Sequence, residues 1–221
     1  DYAVLDCDGE QYIMAEALVG AHEAEFGHAQ RIDTLRGSDL VGRRYTPLFN
    51  YFADTDLHGT ENAWQVLAAD FVSIDDGTGI VHLAPGFGED DQIVANEAGI
   101  PTLCPMDEHG CYTAEISDYA GTHVFDANKR IIADLKERNV VVRHATYDHS
   151  YPHCWRCAEP LVYRAISSWF VQVTAFRDRM VELNEEITWQ PAHIKEGSFG
   201  KWIENARDWA ISRNRFWGSP I

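Results

Sequence analysis

The sequence predicts an α+β fold in which short strands and helices follow one another without a regular alternation. Short apolar runs broken by Gly, Asp and Pro dominate the first half and are typical of strands. Several other stretches repeat apolar residues at helical spacing. The chain has 221 residues, of which 45% are hydrophobic, so it can bury a core and forms one large domain or two small ones.

The first elements are a strand, a helix and a β-rich stretch. Apolar spacing over residues 12–26 predicts a helix that follows the opening strand and ends at Gly27. Residues 32–47 and 64–74 contain Val, Leu, Tyr and Phe between turn residues, which indicates strands. A turn then leads into a short strand over residues 78–85, which the proline closes.

The remaining elements are mostly helical. Helices are predicted at residues 89–98, 127–138 with Asp126 as the cap, 174–184 and 199–212, and a strand at residues 140–144. Trp and Arg become frequent in the last third of the chain, and we expect a domain boundary between residues 165 and 195. We therefore divide the chain into residues 1–165 and residues 166–221.

The net charge of −17 is unevenly distributed. Through Asp126 there are 24 acidic against 4 basic residues, and from Ala127 onward there are 11 against 14. Because contact with a phosphate backbone requires Lys and Arg, this excludes the first half as a broad nucleic-acid surface. Any RNA must be bound by the later half.

Composition also argues against a membrane or secreted protein. No apolar run approaches the ~20 residues that span a bilayer, and no signal peptide opens the chain. Five cysteines, an odd number, argue against a disulfide framework and for a reducing cytoplasm. Since the chain begins without Met inside a strand-like run, we interpret it as part of a longer protein.

The densest group of functional residue types lies between Gly77 and Asp91. Glycines let a ligand approach the main chain, a histidine can polarise a pocket, and a carboxylate at the start of a helix can pair with a ligand ammonium. These features favour a small-molecule site with the candidate residues Gly77, Thr78, Gly79, His82, Asp90 and Asp91. The alternative is structural: a helix cap, a satisfied core histidine and turn glycines.

A second candidate is the Cys-x-x-Cys pair formed by Cys154 and Cys157. Two thiolates at this spacing can share one Zn²⁺, but a structural zinc site usually uses four protein ligands, and the chain has no second such pair. His149 or His153 is the alternative source of a further ligand. A redox pair is the third interpretation, although the βαβ context that it needs does not precede it.

Residues 208–221 mix Arg with Trp and Phe. This combination suits phosphate contact and base stacking. The same spacing also fits aromatic core residues beneath solvated arginines, so the segment by itself does not decide between the two.

Together these stretches resemble the isoleucyl-tRNA synthetase family. The matching runs, in the family's order, are Gly-Thr-Gly-x-Val-His-x-Ala-Pro-Gly-x-Gly-x-Asp-Asp at residues 77–91, Ser-Tyr-Pro-His-Cys-Trp-Arg-Cys at residues 150–157 and Ile-Ser-Arg-Asn-Arg-Phe-Trp-Gly at residues 211–218. The similarity extends from about residue 70 onward and includes LVYRAISSWFV at residues 161–171. Valyl and leucyl enzymes share the architecture, but their corresponding runs differ.

The resemblance implies a β-barrel-rich editing domain with peripheral helices, inserted into a catalytic nucleotide-binding domain. Residues 1–165 would be that editing domain without its first, threonine-rich strand, and residues 166–221 a linker that returns to the catalytic domain. The implied activity is hydrolysis of valine wrongly attached to tRNA(Ile). The parent enzyme joins isoleucine to this tRNA using ATP, but neither the His-Ile-Gly-His nor the Lys-Met-Ser-Lys-Ser signature occurs here, so aminoacylation is not expected of this chain.

The resemblance also assigns roles. Asp91 would hold the α-ammonium of the misattached amino acid, and His82 would line a side-chain pocket that admits valine but excludes isoleucine. A wall can reject one extra methylene by overlap, which is the logic of double-sieve editing, and this enzyme is the usual illustration of that logic. His149, Ser150 and Tyr151 are expected to contact the terminal adenosine. Asp91 and His82 are thus the candidate catalytic residues. No general base is identified: His82 is a candidate, although its family position favours a specificity role, and a terminal hydroxyl of the tRNA can help to position the water.

The implied partner is the 3′ end of tRNA(Ile) carrying valine, with no DNA and no membrane, and the chain is expected to be a cytoplasmic monomer. Editing requires no cofactor, whereas the parent uses ATP and Mg²⁺ at its synthetic site. Zinc at Cys154 and Cys157 is implied only for the parent, where an upstream cysteine pair completes the ligands. The absence of the threonine-rich segment leaves open whether the chain is active by itself, and cleavage of valyl-adenylate is equally open. The alternative function is a non-catalytic zinc-knuckle scaffold that binds tRNA.

Overall fold

The computed structural model describes residues 1–146 and 148–213. The chain divides into two compact units, Asp1–Ala165 and Ile166–Ile221. The fold is α+β, as the sequence predicts. In the described part of the chain the strands form one three-stranded and one two-stranded sheet, so the expected barrel is not closed there.

A three-stranded antiparallel sheet opens the first unit. Strand β1 (Tyr2–Cys7) lies in the middle, between β2 (Glu10–Ala15) and β3 (Gln30–Leu35). Asp8 and Gly9 join β1 to β2 with φ angles of 55° and 91°. Positive φ at both positions is what a two-residue type I′ hairpin turn requires, and Asp-Gly is a favoured pair for it.

The predicted helix over residues 12–26 is therefore wrong in its first part. Tyr12–Ala15 completes β2, because the Asp8-Gly9 turn folds this run back onto β1 and its backbone groups pair there. A 3-10 helix (Glu16–His22) and the short helix α1 (Glu23–Phe26) follow. The core of this unit includes Ala3, Leu5, Met14 and Phe26.

The region after β3 is less regular than the sequence predicts. It contains two four-residue helices, α2 (Gly37–Leu40) and α3 (Thr55–His58). The strand predicted at residues 64–74 is reduced to a bridge between Arg44 and Gln65. Trp64 has φ 58°, and a residue in the left-handed region does not continue a strand.

Two longer helices complete the first unit. Helix α4 (Glu89–Glu97) confirms the helix predicted at residues 89–98. Helix α5 (Val124–Glu137) begins earlier than predicted, and its cap is His123, whose Nδ1 accepts a hydrogen bond from the Phe125 N–H at 3.3 Å, rather than Asp126. Neither residues 78–85 nor residues 140–144 form the predicted strands. Gly77 and Gly79, both with positive φ, turn the chain at the start of the first of these runs.

Over residues 166–213 the second unit contains two paired short strands and two α-helices that pack on each other. Helix α6 (Arg177–Glu186) packs on α7 (Ser198–Glu204), and β4 (Phe170–Val171) pairs with β5 (Trp209–Ala210). The helix predicted at residues 199–212 thus ends at Glu204, since Trp209 and Ala210 use their backbone groups in the sheet. The buried Asn184 side chain donates to the Lys195 carbonyl and accepts from Trp189. No helix in the described ranges is long and apolar enough to cross a membrane.

The buried hydroxyl of Tyr119 should make the free energy of unfolding depend on pH above about 10. Tyr119 is buried and donates to the Asp134 carboxylate at 2.6 Å, and burial together with this hydrogen bond raises the pKa of Tyr119 to about 12. The folded state therefore keeps a proton that the unfolded chain loses near pH 10. We expect stability to fall as pH rises from about 10 to 12, and to fall less in Tyr119→Phe, measured by urea unfolding at each pH. Equal pH dependence in both proteins would contradict this role.

Candidate functional site

The turn at Gly77–Gly79 is held by three contacts from the beginning of the chain. The Tyr2 hydroxyl donates to the Gly79 carbonyl at 2.8 Å, the Ala15 N–H donates to the Thr78 carbonyl at 2.8 Å, and His22 Nε2 lies 2.8 Å from the Gly77 carbonyl oxygen. The opening hairpin and the 3-10 helix after it thereby fix where the following residues run.

Those following residues line a cavity of about 970 Å³. One side is formed by Gly79–Leu83, and the other parts come from β1, from α2 and from the two runs around Tyr45 and Trp64. Most of these side chains are apolar, while Ser38, Thr46, Gln65 and His82 supply polar groups. A volume of this size is typical of a small-molecule site.

His82 and Asp91 take different positions around this loop. His82 is exposed and lies on the cavity wall. Asp91 is half-buried in the first turn of α4, and its Oδ2 accepts a hydrogen bond from the Ala84 N–H at 3.0 Å. Asp91 is not among the residues that line the cavity, so the structure brings the two candidates to one loop but not to one wall.

Three carboxylates occupy the first turn of α4. They belong to Glu89, Asp90 and Asp91, and a negative charge there is stabilised by the amino end of the helix. Asp90 is exposed. The arrangement offers anionic acceptors to a cationic group, which is the chemistry needed to bind an ammonium.

The other substrate-binding candidates lie elsewhere in the first unit. The Tyr151 ring stands edge-on to both the His149 and the His153 rings at 5.9 Å, and its hydroxyl donates to the Leu161 carbonyl at 2.7 Å. His149, Ser150 and Tyr151 do not line the 970 Å³ cavity. These aromatic rings are a surface on which a base could stack.

The Cys-x-x-Cys segment forms a tight knuckle. The Cys154 N–H donates to the Glu159 carbonyl and the Ala158 N–H donates to the Cys154 carbonyl, both at 2.8 Å. Within residues 1–146 and 148–213 no third Cys, His, Asp or Glu joins Cys154 and Cys157 as a potential ligand. Among these residues the knuckle therefore offers two of the four ligands of a structural zinc site, which is too few to hold the ion alone.

The Arg- and Trp-rich run at residues 208–221 is described only as far as Arg213. Its Asp208 carboxylate accepts from both the N–H and the hydroxyl of Thr174, at 2.9 and 2.7 Å, and these bonds lower the pKa of Asp208. The Asn-Arg-Phe-Trp-Gly part of the family-like run lies outside the described residues.

Sequence reasoning missed the residues that position the site. Tyr2 and His22 contact the Gly77–Gly79 turn across 77 and 55 residues of sequence. No periodicity or short motif reports a contact at that separation. The one local signal that bears on these contacts is the Asp8-Gly9 pair. It predicts the hairpin, and the hairpin sets the direction in which β2 returns along β1.

Comparison with known proteins places the chain in one group. A family model described as tRNA synthetases class I (I, L, M and V) matches residues 9–221. The chain belongs to the class I tRNA synthetases.

Individual relatives within this family are isoleucine–tRNA ligases. The chain is 52% identical over its whole length to the isoleucine–tRNA ligase of Mycobacterium leprae and 50% identical over its whole length to that of Treponema denticola. Over 96% of its length it is 58% identical to the isoleucine–tRNA ligase of Corynebacterium diphtheriae. The resemblance based on the three motifs is thereby confirmed. The chain spans about a fifth of the length of these relatives.

Proposed function

We propose that this chain holds the editing site of an isoleucyl-tRNA synthetase and hydrolyses valine that has been attached to tRNA(Ile). Residues 1–165 are the editing domain and residues 166–221 lead back to the catalytic domain, where the parent enzyme joins isoleucine to the tRNA with ATP. The partner is the 3′ end of the tRNA, and the chain acts as a monomer.

The observation that carries the proposal is the fixed loop beside the 970 Å³ cavity. Three hydrogen-bonding contacts fix the Gly77–Gly79 turn, so that the residues up to Leu83 form a cavity wall with a defined position. A fixed wall is what size selection needs, because a side chain is rejected only if the wall does not move. Carboxylates at the start of α4 supply the charge for the amino group.

The proposed chemistry is ester hydrolysis. Asp91 holds the α-ammonium through a charge-assisted hydrogen bond and thereby orients the ester carbonyl of the misattached valine. Water attacks this carbonyl, and main-chain N–H groups stabilise the oxyanion that develops. His82 on the cavity wall selects the side chain, so valine is admitted and isoleucine is excluded.

Deacylation of labelled tRNA tests this function. Val-tRNA(Ile) and Ile-tRNA(Ile) are incubated with the complete synthetase and with this chain, and release of the amino acid is followed. We expect the complete enzyme to clear the valyl ester and spare the isoleucyl ester. Hydrolysis of both esters at the same rate would contradict the proposal. Hydrolysis of neither ester would contradict it as well.

His82→Ala in the complete enzyme tests the size selection separately. Removing the imidazole enlarges the pocket, so Ile-tRNA(Ile) becomes a substrate while Val-tRNA(Ile) is still cleaved. Since one methylene is worth about 10- to 200-fold in selectivity, most of that preference should disappear. The matched control is His109→Ala, an exposed histidine that does not line the cavity and should leave selectivity unchanged.

A second candidate is a tRNA-binding scaffold without catalysis, favoured by the knuckle at Cys154 and Cys157. Arg156 lies 4.6 Å from the centre of the Trp155 ring, and Trp155 is 82% exposed, so a cation and an aromatic face are presented together. Such a pair can contact phosphate and stack on a base. Zinc and tRNA bound by the complete enzyme with no hydrolysis of Val-tRNA(Ile) would favour this function.

A further inference from the structure

A group of three metal-binding side chains lies at the end of the opening sheet, away from the Cys-x-x-Cys knuckle. It consists of the Cys7 thiol, the Asp8 carboxylate and the His28 imidazole, whose ligand atoms all lie within 4.8 Å of one another. Cys7 Sγ is 3.0 Å from His28 Nε2, and the same nitrogen is 3.7 Å from Asp8 Oδ2. It is the only such group within residues 1–146 and 148–213.

The sheet register brings these residues together. Cys7 ends β1 and Asp8 begins the hairpin turn, while His28 lies two residues before β3. Asp6 pairs with Gln30 in the antiparallel ladder, so the next residues along β1 come beside those that precede β3. The pairing of β1 with β3 therefore brings the three residues to one end of the sheet, with Asp8 and His28 in the turns just beyond the ladder.

The distances suit one small cation. Ligand atoms at about 2.0 to 2.3 Å from a tetrahedral metal lie roughly 3.5 Å from one another, and only small movements separate the observed distances from that arrangement. Thiolate, imidazole and carboxylate are also the three ligand types that zinc accepts.

The electrostatic surroundings favour a cation too. Partial burial, followed by the carboxylates of Asp8, Asp6 and Glu10, raises the pKa of the Cys7 thiol. These negative charges oppose a free thiolate but attract a metal ion. A bound dication would favour the thiolate over the thiol, because its positive charge stabilises the deprotonated sulfur.

We propose that Cys7, Asp8 and His28 form a zinc-binding site that ties the β1–β2 turn to the segment preceding β3. Zinc displaces the thiol proton of Cys7 to solvent, and water fills the fourth position, as in sites with three protein ligands. The site is separate from the proposed editing function, since its binding is measured without any hydrolysis.

Cobalt(II) titration tests the site, because a cobalt–thiolate bond produces a charge-transfer absorption that zinc then abolishes by displacement. The protein carrying Cys154→Ser and Cys157→Ser should still give this absorption with one equivalent of metal. Adding Cys7→Ser should remove it, and adding His28→Gln should weaken cobalt binding more than about tenfold. Asp8→Asn should weaken binding while keeping a favourable Asn-Gly turn.

The control is Cys104→Ser, a cysteine outside the group, which should leave the absorption unchanged. Circular dichroism verifies that each variant is folded. Absorption that disappears with the Cys154 and Cys157 substitutions, or that survives Cys7→Ser in their background, would overturn the proposal. Absence of cobalt binding to the folded starting protein would overturn it as well.

Discussion

Asp91→Asn in the complete synthetase should slow deacylation of Val-tRNA(Ile) by about 10- to 100-fold while leaving the loop in place. The expected loss follows from the charge, since a hydrogen bond to a charged group is worth about 1.5 to 3 kcal/mol. The asparagine side chain keeps an oxygen that can accept from the Ala84 N–H, which Asp91 Oδ2 accepts at 3.0 Å. Single-turnover deacylation and urea unfolding measure the two effects separately.

Asp91→Ala removes both contributions. We expect the same loss of deacylation together with a destabilisation of about 1 kcal/mol, because the Ala84 N–H loses its acceptor. The matched control is Glu97→Gln at the other end of α4, an exposed carboxylate whose loss should change neither property. Unchanged deacylation in Asp91→Asn would show that the carboxylate does not bind the ammonium and acts only on the loop.

Local signals explain which parts of the fold could be predicted. Helix α4 follows from the three acids at its start, which come directly after a glycine-rich run and are all local in the sequence. The run at residues 12–15 fits helical and strand spacing equally well, and only its pairing with β1 decides between them. Trp64 is a case that the sequence could not predict, because no residue type near it indicates a positive φ.

The candidate site also has a part that could be predicted from local sequence and a part that could not. The sequence is sufficient to select the Gly77–Asp91 run, because the chemistry of glycine, histidine and aspartate is local. It does not show that Tyr2 and His22 hold the turn, nor that Asp91 bonds to Ala84, because these are tertiary contacts. The Cys7, Asp8 and His28 group depends on register and has no spacing signature at all.

Gly79→Ala should destabilise the protein far more than Gly77→Ala, although both glycines have nearly the same φ angle. Their φ angles are 73° and 69°, so alanine costs about 1 to 2 kcal/mol at either position. A Cβ on Gly79 would lie 2.5 Å from the Ala15 Cβ, whereas a Cβ on Gly77 would meet nothing within 4 Å. Overpacking of this kind adds about 1 to 3 kcal/mol. Urea midpoints at unchanged m-value measure the difference.

Ala15→Gly provides the decisive companion variant. Alone it weakens β2, since glycine in a strand is unfavourable by roughly 0.5 to 1 kcal/mol. Combined with Gly79→Ala it removes the atom that the new methyl group would strike, so the double variant should be more stable than the sum of the two single effects predicts. A coupling energy of about 0.5 to 3 kcal/mol is expected for residues in contact. Additive effects, or equal costs at Gly77 and Gly79, would mean that β2 does not pack against the turn. The fixed cavity wall on which the proposed size selection depends would then lose its support.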